Sequence, residues 1–182
     1  MPCSVGYYSL KGSNECLKCP LGKSSDVGSS FCFACPAGTF YNNETDKCAS
    51  CKEGCISNGN SYNCDICPPG THSNQNKTEC LSCNIGYFSK EGATECTKCP
   101  PGTYSNIGSP SCNICPEGTY SNENQTDCYN CPGGYYSKEG YSNCIKCSEG
   151  TISKQVSSTC TKCSAGTYTN YEQTECNKCD LP

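Results

Sequence analysis

Apolar side chains are scarce in this sequence. Leu, Ile, Val and Phe together number 19 in 182 residues, about half the ~20% level below which a chain cannot be expected to build an ordinary core. The length alone would suggest one globular domain, and the material for its interior is missing. No apolar stretch approaches the roughly 20 residues that span a bilayer, and the N-terminus lacks a charged segment followed by an apolar one. The segment is therefore expected to carry neither a membrane span nor a signal peptide. Blocks of positive charge are also lacking. The basic residues, all lysines, stand singly, the formal net charge is -4 and the pI is about 5.0, a poor match for nucleic acid or anionic membrane. The single histidine, His72, and scattered acids such as Glu15, Glu79, Glu95, Asp127 and Glu175 form no paired catalytic set. No EF-hand, P-loop or triad motif occurs. These absences point away from an enzyme and from any bound cofactor or metal.

What fills the gap is cysteine, on a fixed ruler. Cys3, Cys19, Cys35, Cys51, Cys67, Cys83, Cys99, Cys115, Cys131, Cys147, Cys163 and Cys179 are each 16 residues apart. A second cysteine stands three residues ahead of all but the first: Cys16, Cys32, Cys48, Cys64, Cys80, Cys96, Cys112, Cys128, Cys144, Cys160 and Cys176. Self-similarity at a fixed period marks a repeat array in which each unit contacts chiefly its neighbours. The sequence thus divides into eleven tandem 16-residue repeats over 3–178 and the start of a further one at 179–182. Met1 and Pro2 occupy places that would follow a cysteine at position zero, so the chain is read as a window on a longer array. The 24 cysteines, about 13% of the chain, are the density of a secreted scaffold stapled by disulfides, which reducing compartments would open.

Comparison of the repeats assigns their positions. Glycine follows every leading cysteine of a complete repeat by three, from Gly6 and Gly22 to Gly166. Glycine at a fixed place means positive φ or close backbone approach. Proline often follows the cysteine, as at Pro36, Pro68, Pro100, Pro116 and Pro132, so C-P-x-G reads as a turn. A short β-like piece follows. Its middle place holds Tyr8, Phe40, Ile56, Phe88, Tyr104, Tyr120, Tyr136, Ile152 and Tyr168, with Ser24 and His72 as exceptions. Such residues at a fixed offset are expected to stack beside the disulfides as a thin core; a ladder that binds sugars or other ligands is the less favoured alternative. A far turn is expected nine residues after the leading cysteine. There Gly12, Gly28, Asn60, Asn76, Gly92, Gly108, Asn124 and Gly140 suit a left-handed conformation, and Glu44, Val156 and Glu172 break the rule. Each unit is thus predicted to be a small hairpin or looped ribbon. The fold class that follows is a small disulfide-rich repeat protein, an elongated solenoid-like rod of such units with almost no helix.

Three N-glycosylation acceptors fall on the far turns, at Asn43, Asn76 and Asn124, each followed two residues later by Thr. They predict N-glycans on one exposed edge.

The cysteines have three readings. Two C-x2-C pairs could hold zinc, but zinc would use the pairs two at a time and alternate repeats do not differ accordingly. A redox C-x2-C needs a βαβ setting that these Gly- and Pro-rich units do not offer. Structural disulfides within each repeat, Cys3 with Cys16 through Cys163 with Cys176, use all but two cysteines, and each loop of about 15 residues contributes on the order of 3 kcal/mol by restricting the unfolded chain. The two left over are Cys179, whose partner would lie beyond Pro182, and Cys55, which replaces the usual Thr or Tyr. Each is a candidate intermolecular bridge or free thiol.

The runs Cys99-Pro-Pro-Gly-Thr-Tyr-Ser105 and Cys115-Pro-Glu-Gly-Thr-Tyr-Ser121, each leading to C-x2-C, resemble the ephrin-receptor-like cysteine-rich repeat. That repeat is in turn similar to the first submodule of TNF-receptor-type domains and to repeats of protist surface proteins. The resemblance covers residues 3 to 179 and implies an extracellular, elongated, disulfide-linked module, with the first loop cysteine paired across the loop. TNF-receptor domains alternate submodules, whereas one unit recurs here, so no ligand contacts carry over. Two function classes are left: a stiff glycosylated rod that self-associates into a filament, coat or layer, and a receptor or adhesin ectodomain that binds a protein ligand. Binding sites show as local irregularity, and eleven repeats of constant length favour the rod.

Overall fold

The computed structural model describes residues 1–179. Those residues contain no helix. Every repeat is one antiparallel two-stranded hairpin, and no hairpin joins another in a larger sheet. In repeat 7, Thr103–Tyr104 pairs with Asn113–Ile114.

The C-P-x-G segment makes each hairpin start. Thr103 N donates to Pro100 O at 3.2 Å, and Gly102 between them has φ +83°. That is a type II turn, whose third residue needs positive φ. The following Thr is selected too: its Oγ1 donates to the same carbonyl at 2.6 Å. The base then closes when Cys115 N donates to Gly102 O at 2.9 Å.

The chain forms two compact units, Met1–Ser82 with Ser89–Cys96, and Cys83–Phe88 with the chain from Thr97 on. Each is built by the same joint between successive hairpins. In the first unit, Gly70 N donates to Ser89 O and Gly92 N to Cys67 O. In the second, Gly118 N donates to Ser137 O and Gly140 N to Cys115 O. Parallel bridges such as His72 to Ala93 in the first unit and Tyr136 to Ser157 in the second add to the joint.

The core differs from the expectation. The side chains that the array buries are the leading cysteines and the serine one place past the ring slot: Cys67 and Cys115 are 0% exposed, and so are Ser105 and Ser137. The ring-slot residues Tyr8, Phe40, Phe88, Tyr104, Tyr120 and Tyr136 are only half-buried, and Tyr168 is exposed. The ring contacts within the units, Tyr41 with Tyr62 and Tyr120 with Tyr129, do not join two slots. The physical reason is which strand face meets the gap between hairpins, since Tyr41 at the serine place of repeat 3 is buried there too. A serine fits it and donates its Oγ back to the preceding repeat, as Ser25 to Tyr7 O, Ser105 to Tyr87 O and Ser137 to Thr119 O, at 2.8 to 2.9 Å. That bond satisfies the hydroxyl that burial would otherwise strand.

The far turns also need correction. Gly12, Gly28, Asn60, Gly92, Gly108 and Gly140 take positive φ, and so does Val156 at +61°. At Asn76 and Asn124 the left-handed residue is instead the next one, Lys77 at +58° and Gln125 at +56°. These belong to a second hairpin class with longer strands, Thr71–Ser73 with Cys80–Ser82, Thr119–Ser121 with Cys128–Asn130 and Thr167–Thr169 with Cys176–Lys178. An asparagine clasps each of those turns: Asn122 Oδ1 accepts from Thr126 N at 2.8 Å and its Nδ2 donates to Thr126 Oγ1 at 2.7 Å. Asn74 with Thr78 and Asn170 with Thr174 repeat it. Repeat 3 is a variant, Thr39–Asn42 with Lys47–Ser50, whose Asn42 Oδ1 accepts from Glu44 N and Thr45 N. The repeats are uniform in length but not in turn.

Candidate functional site

An array without an ordinary core has its function-bearing geometry in its joints. The bridges run within repeats: Cys3 to Cys16, Cys19 to Cys32, Cys35 to Cys48, Cys51 to Cys64, Cys67 to Cys80, Cys99 to Cys112, Cys115 to Cys128, Cys131 to Cys144, Cys147 to Cys160 and Cys163 to Cys176. Cys83 and Cys96 are disulfide-bonded as well. In most repeats the leading sulfur is buried and the trailing one is nearer solvent, so each bridge ties a hairpin's interior to its rim.

The glycine of C-P-x-G does more than turn the chain. A Cβ on Gly38 would meet Asn76 O, one on Gly86 would meet Asn124 O, and one on Gly118 would lie 2.5 Å from Val156 O, each in the repeat two places on. Ordinary carbon contacts begin near ~3.5 Å. Positive φ and close approach therefore both operate at these places, and the close approach lets these hairpins touch their second neighbours. At Gly150 and Gly166 a Cβ would meet no atom within 4 Å, and these two keep only the φ requirement, at +75° and +79°.

Two polar latches strengthen joints in the first unit. Lys77 Nζ donates to Cys51 O at 2.7 Å and pairs with Glu53 at 3.0 Å. Tyr41 takes the serine place in repeat 3, is buried, and donates its hydroxyl to Asp46 Oδ1 at 2.6 Å. Asp46 also pairs with Lys18 at 3.3 Å, two repeats earlier. The Tyr41 bond, with Lys18 beside it, holds the Asp46 carboxyl below the usual carboxylate range, while that bond together with burial pushes Tyr41 up to about 12. His72 lies half-buried in its hairpin opposite Leu81, with Nδ1 at 3.2 Å from Ser73 O.

The acceptor asparagines Asn43, Asn76 and Asn124 all have exposed side chains. The two thiols that the repeat leaves over are also placed. Cys55 is half-buried in the short strand Cys55–Ile56, opposite Ile66, and Cys179 is exposed. Sequence reasoning passed over the serine ladder and the asparagine clasp. Both were marked by fixed offsets, six residues after the leading cysteine for the first and seven for the second.

The family model described as tyrosine-protein kinase ephrin type A/B receptor-like matches residues 70–105, 86–119 and 118–159. Those residues match ephrin-receptor-like cysteine-rich repeats, and the chain is a cysteine-rich repeat array. A bridge in every repeat and this family make it an extracellular disulfide-rich protein. Among the described residues no helix is long and apolar enough to cross a membrane. No curated protein matches the chain.

Proposed function

We propose that this array is a structural rod of the cell exterior, a glycosylated element that associates with its own kind into a filament, stalk or coat. The observation that carries this reading is the joint: one set of backbone bonds, one serine and one glycine seat recur between hairpins with no insertion to interrupt them. A joint that engages both the first and the second neighbour resists bending more than one that engages the first alone, which suits a load-bearing element. The chain exposes 11558 Å², against about 8500 Å² for a compact monomer of its mass. That surplus surface is available for lateral contacts and N-glycans. Cys55 contributes a half-exposed thiol that would fix the register between neighbouring copies as a disulfide. Electron microscopy of the native material tests the reading: filaments or a regular layer support it, and isolated ectodomains on a membrane would favour a receptor or adhesin.

A further inference from the structure

Repeat 8 departs from its siblings, and the departure makes a cleft. In the longer hairpins the ring slot faces a partner across the strands. That pair is Phe40 with Ala49, His72 with Leu81, and Tyr168 with Asn177, but in repeat 8 it is Tyr120 with Tyr129. The two rings meet edge to face, 6.2 Å apart at 80°, and Tyr129 is 51% exposed. They form one wall of an open cleft of about 520 Å³ whose other lining includes Glu123, Gln125, Ser142 and Asn143.

These groups have unused capacity. The side chain of Glu123 is exposed and has no ion pair or hydrogen bond within the unit; only its main-chain oxygen is engaged, by Lys98 Nζ at 3.2 Å. Ser142 and Asn143 are exposed and are joined only to each other, through one long bond of 3.4 Å. Gln125 is 6% exposed, its amide nitrogen donates to Asn122 O, and its side-chain oxygen has no partner. Gln173 in repeat 11 has the same unpartnered oxygen, so this group belongs to the turn class and does not distinguish the cleft.

We propose that this cleft binds a neutral saccharide residue. A sugar ring presents an apolar C–H face that packs on an exposed tyrosine, as aromatic rings favour, and hydroxyls that both donate and accept. Carboxylate, amide and hydroxyl supply the matching set: Glu123 accepts only, while Asn143 and Ser142 do both. Glu123 and the Lys98 ammonium against its main chain offset one another in charge, so the site favours an uncharged class. The equivalent cleft of repeat 11 keeps Asn170 and Gln173, has Lys146 at the place of Lys98, and has Asn177 where Tyr129 would be. It has one exposed ring, Tyr171, in place of the edge-to-face pair, and no carboxylate at the place of Glu123, so it is expected to bind the sugar more weakly. Binding in repeat 8 is independent of whether the array serves as a rod.

The test is titration of the isotope-labelled full chain with methyl glycosides of glucose, mannose, galactose and N-acetylglucosamine, followed by amide NMR shifts. At least one should move amides of residues 120–129 and 142–143, saturating in the millimolar range, and move those of repeat 11 less. Tyr129→Ala should weaken that binding about fivefold and Glu123→Gln roughly tenfold. Both side chains are solvent-facing, so unchanged shifts in the other hairpins will show that each variant folds. No response to any of the four sugars, shifts spread evenly along the chain, or equal affinity in both variants and the unaltered chain would overturn the assignment.

Discussion

Gly118→Ala and Gly150→Ala form a matched pair. The two glycines have the same role in their hairpins, with φ +74° and +75°, and each accepts the base bond of its hairpin, from Cys131 N and Cys163 N. Alanine at that φ costs about 1–2 kcal/mol at either place. Only at Gly118 does the added methyl run into another repeat, 2.5 Å from Val156 C and O and 2.9 Å from its Cα. Backbone cannot swing aside as a flexible side chain can, so overpacking adds about 1–3 kcal/mol there alone. Native-state hydrogen exchange reads the difference hairpin by hairpin, which suits an array that opens locally. Gly150→Ala should lower the protection of the Cys163 amide about 5- to 30-fold. Gly118→Ala should lower that of the Cys131 amide by a further factor of about 5 to 150. It should also expose the Val156 amide, which donates to Cys131 O at 3.0 Å. If the two variants lose protection equally, the seat two repeats on contributes nothing and the stacking argument fails.

Other outcomes follow from the same geometry. Asn122→Ala should open the far turn of repeat 8, costing about 1–3 kcal/mol for the stranded Thr126 amide, read as faster exchange at Thr126; unchanged exchange would dismiss the clasp. The folded value for Asp46 is depressed, so its contribution is present above the ordinary Asp range near ~3.9 and is lost as pH falls through the folded value. Tyr41 is raised to about 12, so its contribution holds below ~10 and goes as pH climbs through that value. In Tyr41→Phe the Asp46 carboxyl, followed by carbon NMR, should titrate at higher pH; an unmoved titration would assign the shift elsewhere. Chain made in a eukaryotic secretory path should carry glycans at Asn43, Asn76 and Asn124 by peptide mass, and bare peptides would remove them from the surface. Cys55→Ser should loosen the register of native filaments while sparing each hairpin, and filaments indifferent to the change would leave lateral packing to explain assembly.

The period of 16 made the hairpin boundaries and the pairing of Cys19 with Cys32 readable, because a bridge that closes each repeat leaves every sulfur but those of Cys55 and Cys179 accounted for. Gly118 was readable as a constrained glycine, but not the reason. Val156 lies 38 residues away by numbering, and contact with the second neighbour leaves no local pattern. The ring slot was not readable as half-buried, because hydrophobicity is the ordinary guide to burial and does not show which strand face meets the next hairpin. Here that face carries Ser105 and Ser137 and not Tyr104 or Tyr136, and the buried serine recovers its hydrogen bond on the preceding strand. Asn76 and Asn124 mimic left-handed residues in composition, yet the clasps by Asn74 and Asn122 move the left-handed step to Lys77 and Gln125. A side-chain hydrogen bond of that kind competes with backbone preference and is invisible to residue type alone.

Solution scattering from the intact, oxidised chain tests the central claim most directly. The proposed rod predicts a radius of gyration well above that of a compact domain of this length. A value near the ~16 Å of a compact domain of this length would contradict it.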